Sequence, residues 1–277
     1  MRVVAASVRL QATLSSGLAD ANDALQEGVQ SNGTAFNIIQ GLSQNVFVPV
    51  GLSLLAIVLC YELIDMFIEK NNMNEVDTFL FFKWVLKAYI GIQLVQHSFD
   101  IVNGLYEVAR TWITVTSGNS YAVSSHIVAD YDTLIALDDV AKLASIWLQI
   151  GLARLVLFFL KIYMLVAIYT RLLTLYLYAV VGAVPLSTFV NKEWGQTANN
   201  YLKNVFSLAL SGAFMILILT IYGALLSGIT FNNIDANDSI VVSDTISPLL
   251  KLFIYSLAAA GLIKMSKSIS DSIIGAH

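Results

Sequence analysis

The chain carries little charge. Of its 277 residues, 12% are Asp, Glu, Lys or Arg and 57% are hydrophobic, and the mean hydropathy is +0.73. A soluble domain has about 25% charged residues. At half that density a water-facing surface cannot be coated, so much of the chain must face lipid. The net charge of -4 leaves no broad basic patch, which removes any composition-level case for tight binding of duplex nucleic acid. Cysteine is nearly absent: Cys60 is the single one, it lies in an apolar run, and it can form no internal disulfide. There is no phosphate loop, no CxxC, no HExxH and no G-x-S-x-G. The three histidines, His97, His126 and His277, are scattered. An enzyme reading therefore has no residues to carry it, and neither a cofactor nor a metal is expected. His97 has no second histidine within a helical turn. The opening MRVVAASVRLQATLSSG lacks the continuous apolar stretch of a cleaved signal peptide, so the spans themselves are expected to direct insertion.

What the chain does have is long apolar runs. A spanning helix needs roughly 20 mainly apolar residues. Four clear runs and one weaker one predict an all-α integral membrane protein with about five transmembrane helices, an N-terminal amphipathic helix and a re-entrant or interfacial segment. Residues 1–44 read as an external tail, with Leu14, Leu18, Leu25 and Val29 at helical spacing among Asp20, Asp23, Glu27 and Gln30. The SNGT stretch containing Gly33 is expected to break that helix. Residues 45–277 form the polytopic domain, with spans at about 46–68, 79–102 (the weaker run), 144–168, 205–229 and 249–265. Residues 144–190 stay apolar for over 40 residues, about 60 Å as one helix and twice a bilayer. They make either two crossings, or one crossing followed by a half-buried segment.

Charge placement arbitrates, because Lys and Arg favour the cytoplasmic side. Loop 230–248 has Asp235, Asp238 and Asp244 and no Lys or Arg, and loop 103–143 is mainly acidic, so both are expected outside. Lys70, Lys83 and Lys87 mark 69–87 as internal, Lys192 and Lys203 mark 191–204, and Lys264 and Lys267 mark the tail. One crossing in 144–190 satisfies all of these. The expected protein lies in the bacterial cytoplasmic membrane as a multi-pass chain, N-terminus outside and C-terminus inside. Residues 171–190, with Gly182 and Pro185 as helix breakers, are then a cytoplasmic re-entrant or interfacial hairpin.

Polar residues inside the spans are the candidate functional positions. Arg154 and Lys161 lie seven apart and share a face of the third span. They either line a polar path or bind a partner subunit, or they pair with Glu62 or Asp65 of the first span or snorkel to the surface; the second pair of readings is the weightier. Gln93, Gln96, His97 and Asp100 form one stripe on the second span. This stripe faces a channel or a neighbouring subunit, or it is polar glue between helices or the end of the span reaching water, and the latter two readings are favoured. Ser207, Ser211, Gly223 and Ser227 put small residues four apart on the fourth span, which lets helices approach closely within the chain or between copies.

The stretch PLSTFVNKEWGQTANNYLKNVFSLALSGAFMILILTIYGALL, from Pro185 to Leu226, resembles the core of TrbL-type polytopic subunits of conjugative elements, in their Gram-positive mobile-element form. The preceding RLLTLYLYAVVGAVPLS and the terminal KSISDSIIGAH are similar to that family too, while the N-terminal half matches only in layout. The resemblance implies an inner-membrane channel subunit of a type IV secretion machine. It also implies a homo-oligomer, with a pentamer as one arrangement, partner subunits including ATPases, and transient DNA or protein cargo. Two functions stand: a structural, pore-associated subunit of such a machine, or an independent small-solute transporter. Transporters often show repeated halves with paired broken helices. This sequence has one broken region and no evident repeat.

Overall fold

Apolar side chains on a backbone that must satisfy its own hydrogen bonds form helices in lipid. The computed structural model describes residues 15–27, 33–69, 78–117, 140–227, 229 and 242–276, and the regular elements among them are helical. These are α1 (15–26), α2 (Gly33–Leu42), a π turn (Ser43–Phe47), α3 (Val48–Glu69), α4 (Thr78–Gln96), α5 (Ser98–Ser117), α6 (Val140–Val181), α7 (Ala183–Leu186), α8 (Gly195–Ser227) and α9 (Val242–Ile274).

Four stretches are long and apolar enough to cross a membrane: Gly33–Ile68, Gly151–Val181, Gly195–Leu226 and Leu249–Ile274. Ile57, Phe159, Leu177 and Ile221 on them are each more than half exposed. Such faces would be costly in water, and lipid covers them. The chain is an all-α integral membrane protein.

The elements differ from the sequence expectation in where they end. The first stretch begins at Gly33 rather than near residue 46 and runs through the π turn. Pro49 has no N–H to continue the helical ladder, and its ring would crowd the preceding turn. The wider turn absorbs this, with Val48 N donating to Ser43 O, five residues back. The weaker expected span, 79–102, falls on α4 and α5. They meet at His97 without losing the helical path, since His97 N donates to Gln93 O and Ile101 N to His97 O. Helix α5 then continues to Ser117, into the expected external loop. Of that loop and of loop 230–248, residues 118–139 and 230–241 lie outside the described residues. So does 28–32, where the SNGT break was expected.

Helix α6 is one helix of 42 residues with no break at Arg171. The regular helical bonding first lapses at Gly182, whose own backbone stays helical (φ -53, ψ -31). There the Tyr201 hydroxyl donates to Tyr178 O at 2.7 Å, taking the carbonyl that a continuing helix would offer to residue 182. A Cβ on Gly182 would lie 2.6 Å from that hydroxyl, so the approach requires glycine. The turn therefore covers 182–194 rather than starting at residue 171. Helix α9 runs on to Ile274 and ends in Gly275 at φ 66, with Ala276 N donating to Asp271 O. This is a glycine-terminated helix cap.

The chain forms two units, and α5, α6, α8 and α9 each contribute to both. In one unit, Leu25, Ile113, Ile168, Ile216 and Ile263 make a core with α1 as a full member, and Leu157, Tyr222, Leu226 and Leu252 make a second cluster. In the other, Tyr106, Leu175 and Leu208 form one cluster and Val102, Leu186 and Val205 another. Leu55, Val95, Ala183 and Val190 join α3, α4 and the turn after α6.

Candidate functional site

The most connected polar site centres on Glu62, 15% exposed at its side chain. Helix α3 presents its carboxylate to two donors. One is the Lys87 ammonium of α4, in a short ion pair, and the other is Asn191 Nδ2 at 3.0 Å. Asn191 is 3% exposed. Its Oδ1 accepts from Glu193 N at 2.8 Å and Trp194 N at 3.0 Å, which fixes the turn leading into α8. Trp194 stacks on Tyr61 of α3 with ring centroids 5.6 Å apart, and the Tyr61 hydroxyl reaches Glu193 Oε2 at 3.5 Å. Trp84 Nε1 donates to Leu59 O at 3.2 Å. Two glycines permit the close packing. A Cβ on Gly51 would meet Ala183 O at 2.7 Å, and one on Gly91 would meet Val190 Cγ2 at 2.5 Å. The site thus ties two helices to the 182–194 turn through one carboxylate.

The expected ion pair between the first and third spans is not the one formed. Glu62 is taken by Lys87 and Asn191. Lys161 pairs instead with Asp20 of α1, Nζ to Oδ2 at 2.5 Å. Asp65 and Arg154 are exposed and make no ion pair among the described residues. In the stripe, Gln93 is half-buried, Gln96, His97 and Asp100 are exposed, and His97 Nδ1 lies 3.3 Å from Asp100 Oδ2. Among the described residues no group of three or more His, Cys, Asp or Glu could hold a metal.

The small residues of α8 do join helices. Ser207 Oγ donates to Asp271 Oδ1 at 2.5 Å, and Ser270 Oγ donates to Ser207 O at 2.7 Å. Lys267 Nζ reaches Asp271 Oδ2 at 3.2 Å. Ser211 is buried and bonds back to Leu208 O, and Gly223 is buried. The side chain of Ser227 lies outside the described residues.

Sequence reasoning missed Arg171, which it took as the first residue of an interfacial segment. Arg171 is 5% exposed. Its Nε donates to Leu208 O and its Nη2 to Ala209 O, each at 3.1 Å, and its guanidinium carbon lies 5.7 Å from the Tyr106 ring centroid. No carboxylate pairs with it among the described residues. Tyr106, 1% exposed, offers Arg171 its ring face and lies within hydrogen-bonding reach of it as well. The available signal was an arginine inside an apolar helical period, where a free cation is too costly to face lipid.

A profile of the family described as TrbL/VirB6 plasmid conjugal transfer like protein matches residues 19–183. No curated protein and no solved structure matches the chain. The matched region covers more than half the sequence and contains Asp20, Glu62, Lys87, Lys161 and Arg171. It shares only residues 171–183 with the C-terminal stretches on which the sequence resemblance was read.

Proposed function

The chain belongs to the TrbL/VirB6 plasmid conjugal transfer family, and from that premise we propose that it is a structural, pore-associated membrane subunit of a type IV secretion machine. Family membership makes it a component of conjugal transfer, and the profile match over residues 19–183 carries the proposal. In this reading several copies assemble beside a transfer path, and the secretion and coupling ATPases of the machine act with them on DNA or protein cargo. Deleting the gene from its mobile element should abolish transfer, and the intact gene supplied elsewhere should restore it. Transfer at the normal frequency in the deletion strain would refute this reading. Loss of uptake of a small solute in the same strain would favour an independent transporter.

The same reading includes residence in the bacterial cytoplasmic membrane, with the N-terminus outside, five crossings and the C-terminus inside. The charge bias of the connecting segments supports it. Cysteines placed in 103–143 and 230–248 in a Cys60→Ser background should react with an impermeant reagent added outside. Those in 191–204 and after Lys264 should not. External labelling near Lys192 would overturn the arrangement.

A further inference from the structure

Helix α1 is packed as a core element rather than as a surface tail. Ala21 and Leu25 are 1% and 0% exposed. They share a core with Met164 and Ile168 of α6, Ile216 of α8, and Ala260 and Ile263 of α9. Each of these neighbours lies well inside its apolar stretch: Gly151–Val181, Gly195–Leu226 or Leu249–Ile274. Helix α1 therefore sits at the depth of the hydrocarbon.

Its opposite face is polar. Asp20 pairs with Lys161, whose aliphatic stem lies beside Gly17. Beyond that pair, Asp20, Asp23 and Gln26 of α1 and Glu27 just after it, with Leu165 and Tyr169 of α6, line an open cavity of about 600 Å³. Glu27 lies within hydrogen-bonding reach of Tyr169. Among the described residues three carboxylates line this contact, and one of them, Asp20, meets the Lys161 ammonium. Carboxylates at membrane depth are not left to face acyl chains; they face protein or water. The cavity is many times the roughly 30 Å³ share of one water molecule, and its lining offers many polar partners.

We infer that the cavity between α1 and α6 is a water-filled cleft that enters the membrane layer as far as Asp20, whose carboxylate meets Lys161. The apolar face of α1 seals one side of it, and the acidic face wets the other. The half-exposed Asp20, at 51%, and the more shielded Lys161, at 21%, mark its inner end. This rests on the fold and is independent of what the machine transports.

Thiol accessibility in membranes tests it. In a Cys60→Ser background, Gln26→Cys and Glu27→Cys lie in the cleft, Phe159→Cys lies on the exposed apolar face of α6, and Ala21→Cys lies in the core. A charged, membrane-impermeant thiosulfonate is applied from both sides. The thiolate is the reactive species, and an apolar setting that raises a thiol pKa by one unit slows it about tenfold. Both cleft cysteines should therefore react at least tenfold faster than Phe159→Cys, with Ala21→Cys unreactive. Cleft cysteines no faster than Phe159→Cys would overturn the inference. So would equal reaction of Ala21→Cys and Gln26→Cys, because α1 would then not be docked.

Discussion

Lys161 and Arg171 stand ten residues apart on α6, and each neutralises its charge differently. In the unit that contains α1, Lys161 meets a carboxylate, Asp20, whose side chain is itself half exposed. In the other unit, Arg171 is shielded from solvent and meets two backbone carbonyls and an aromatic face. Where water reaches, an anion and a cation can share its screening, and neither is fully desolvated. Where it does not, a second full charge would bring its own desolvation cost, and dipoles already fixed by helix α8 serve instead. The planar guanidinium suits this role, because its donors can reach the carbonyls of two successive residues.

The largest expected effect is at the dry site. Arg171→Ala leaves a void beneath Tyr106 and should cost about 3 kcal/mol in thermal unfolding of the detergent-solubilised protein. Arg171→Met keeps the volume without the charge and should cost less than about 1 kcal/mol. Equal losses for the two variants would mean that the carbonyl bonds, rather than the filled space, hold the helices.

Glu62 is intermediate between the two cases. Lys87→Ala leaves the largely buried carboxylate with Asn191 alone and should cost about 2 kcal/mol, read as a lowered unfolding temperature. Lys161→Ala should cost only about 1 kcal/mol, because Asp20 can turn to water, and adding Asp20→Asn should recover part of that. A loss at Lys161 as large as at Arg171→Ala would erase the contrast between a wet and a dry site.

The smallest effect is expected at Arg154, which is exposed near the start of the apolar stretch of α6. Arg154→Ala should change stability by less than about 0.5 kcal/mol, since its charge reaches the membrane surface by snorkelling. Normal protein level with normal transfer would agree. Normal level with failed transfer would instead assign Arg154 to a path or a partner contact.

The fold class was legible because apolar runs and sparse charge admit no other solution for a chain of this composition. Pairings across the fold were less legible. Glu62 advertised a buried anion, yet its cation came from Lys87, which sequence reading had used to mark 69–87 as internal. Its second donor, Asn191, sits in the turn whose backbone it also fixes, and nothing in helical periodicity marks such a residue. The docking of α1 was hidden for another reason. Leu18, Ala21 and Leu25 suit a membrane surface and a bundle core equally, and only their neighbours distinguish the two. Arg171 was misjudged because the expected helix end was put ten residues too early.

The π turn before Pro49 also acts as a phase shifter. In an unbroken α-helix, advancing about 100° per residue, the inward face marked by Phe36 and Ile39 would continue through Val50, Leu54 and Ile57. Those three are 48%, 37% and 60% exposed, while Leu55 and Val58, each one position later, are 1% and 2% exposed. The extra residue in Ser43–Phe47 rotates everything downstream by one step. It lets a single rod address two sets of neighbours: Phe99 through Phe36, and Val95, Ala183 and Val190 through Leu55. Straightening that short segment into regular α-helix with all its residues kept would turn the lipid-facing edge of α3 inward and carry Glu62 off its azimuth, whereas deleting one residue from it would leave Leu55 and Glu62 where they are.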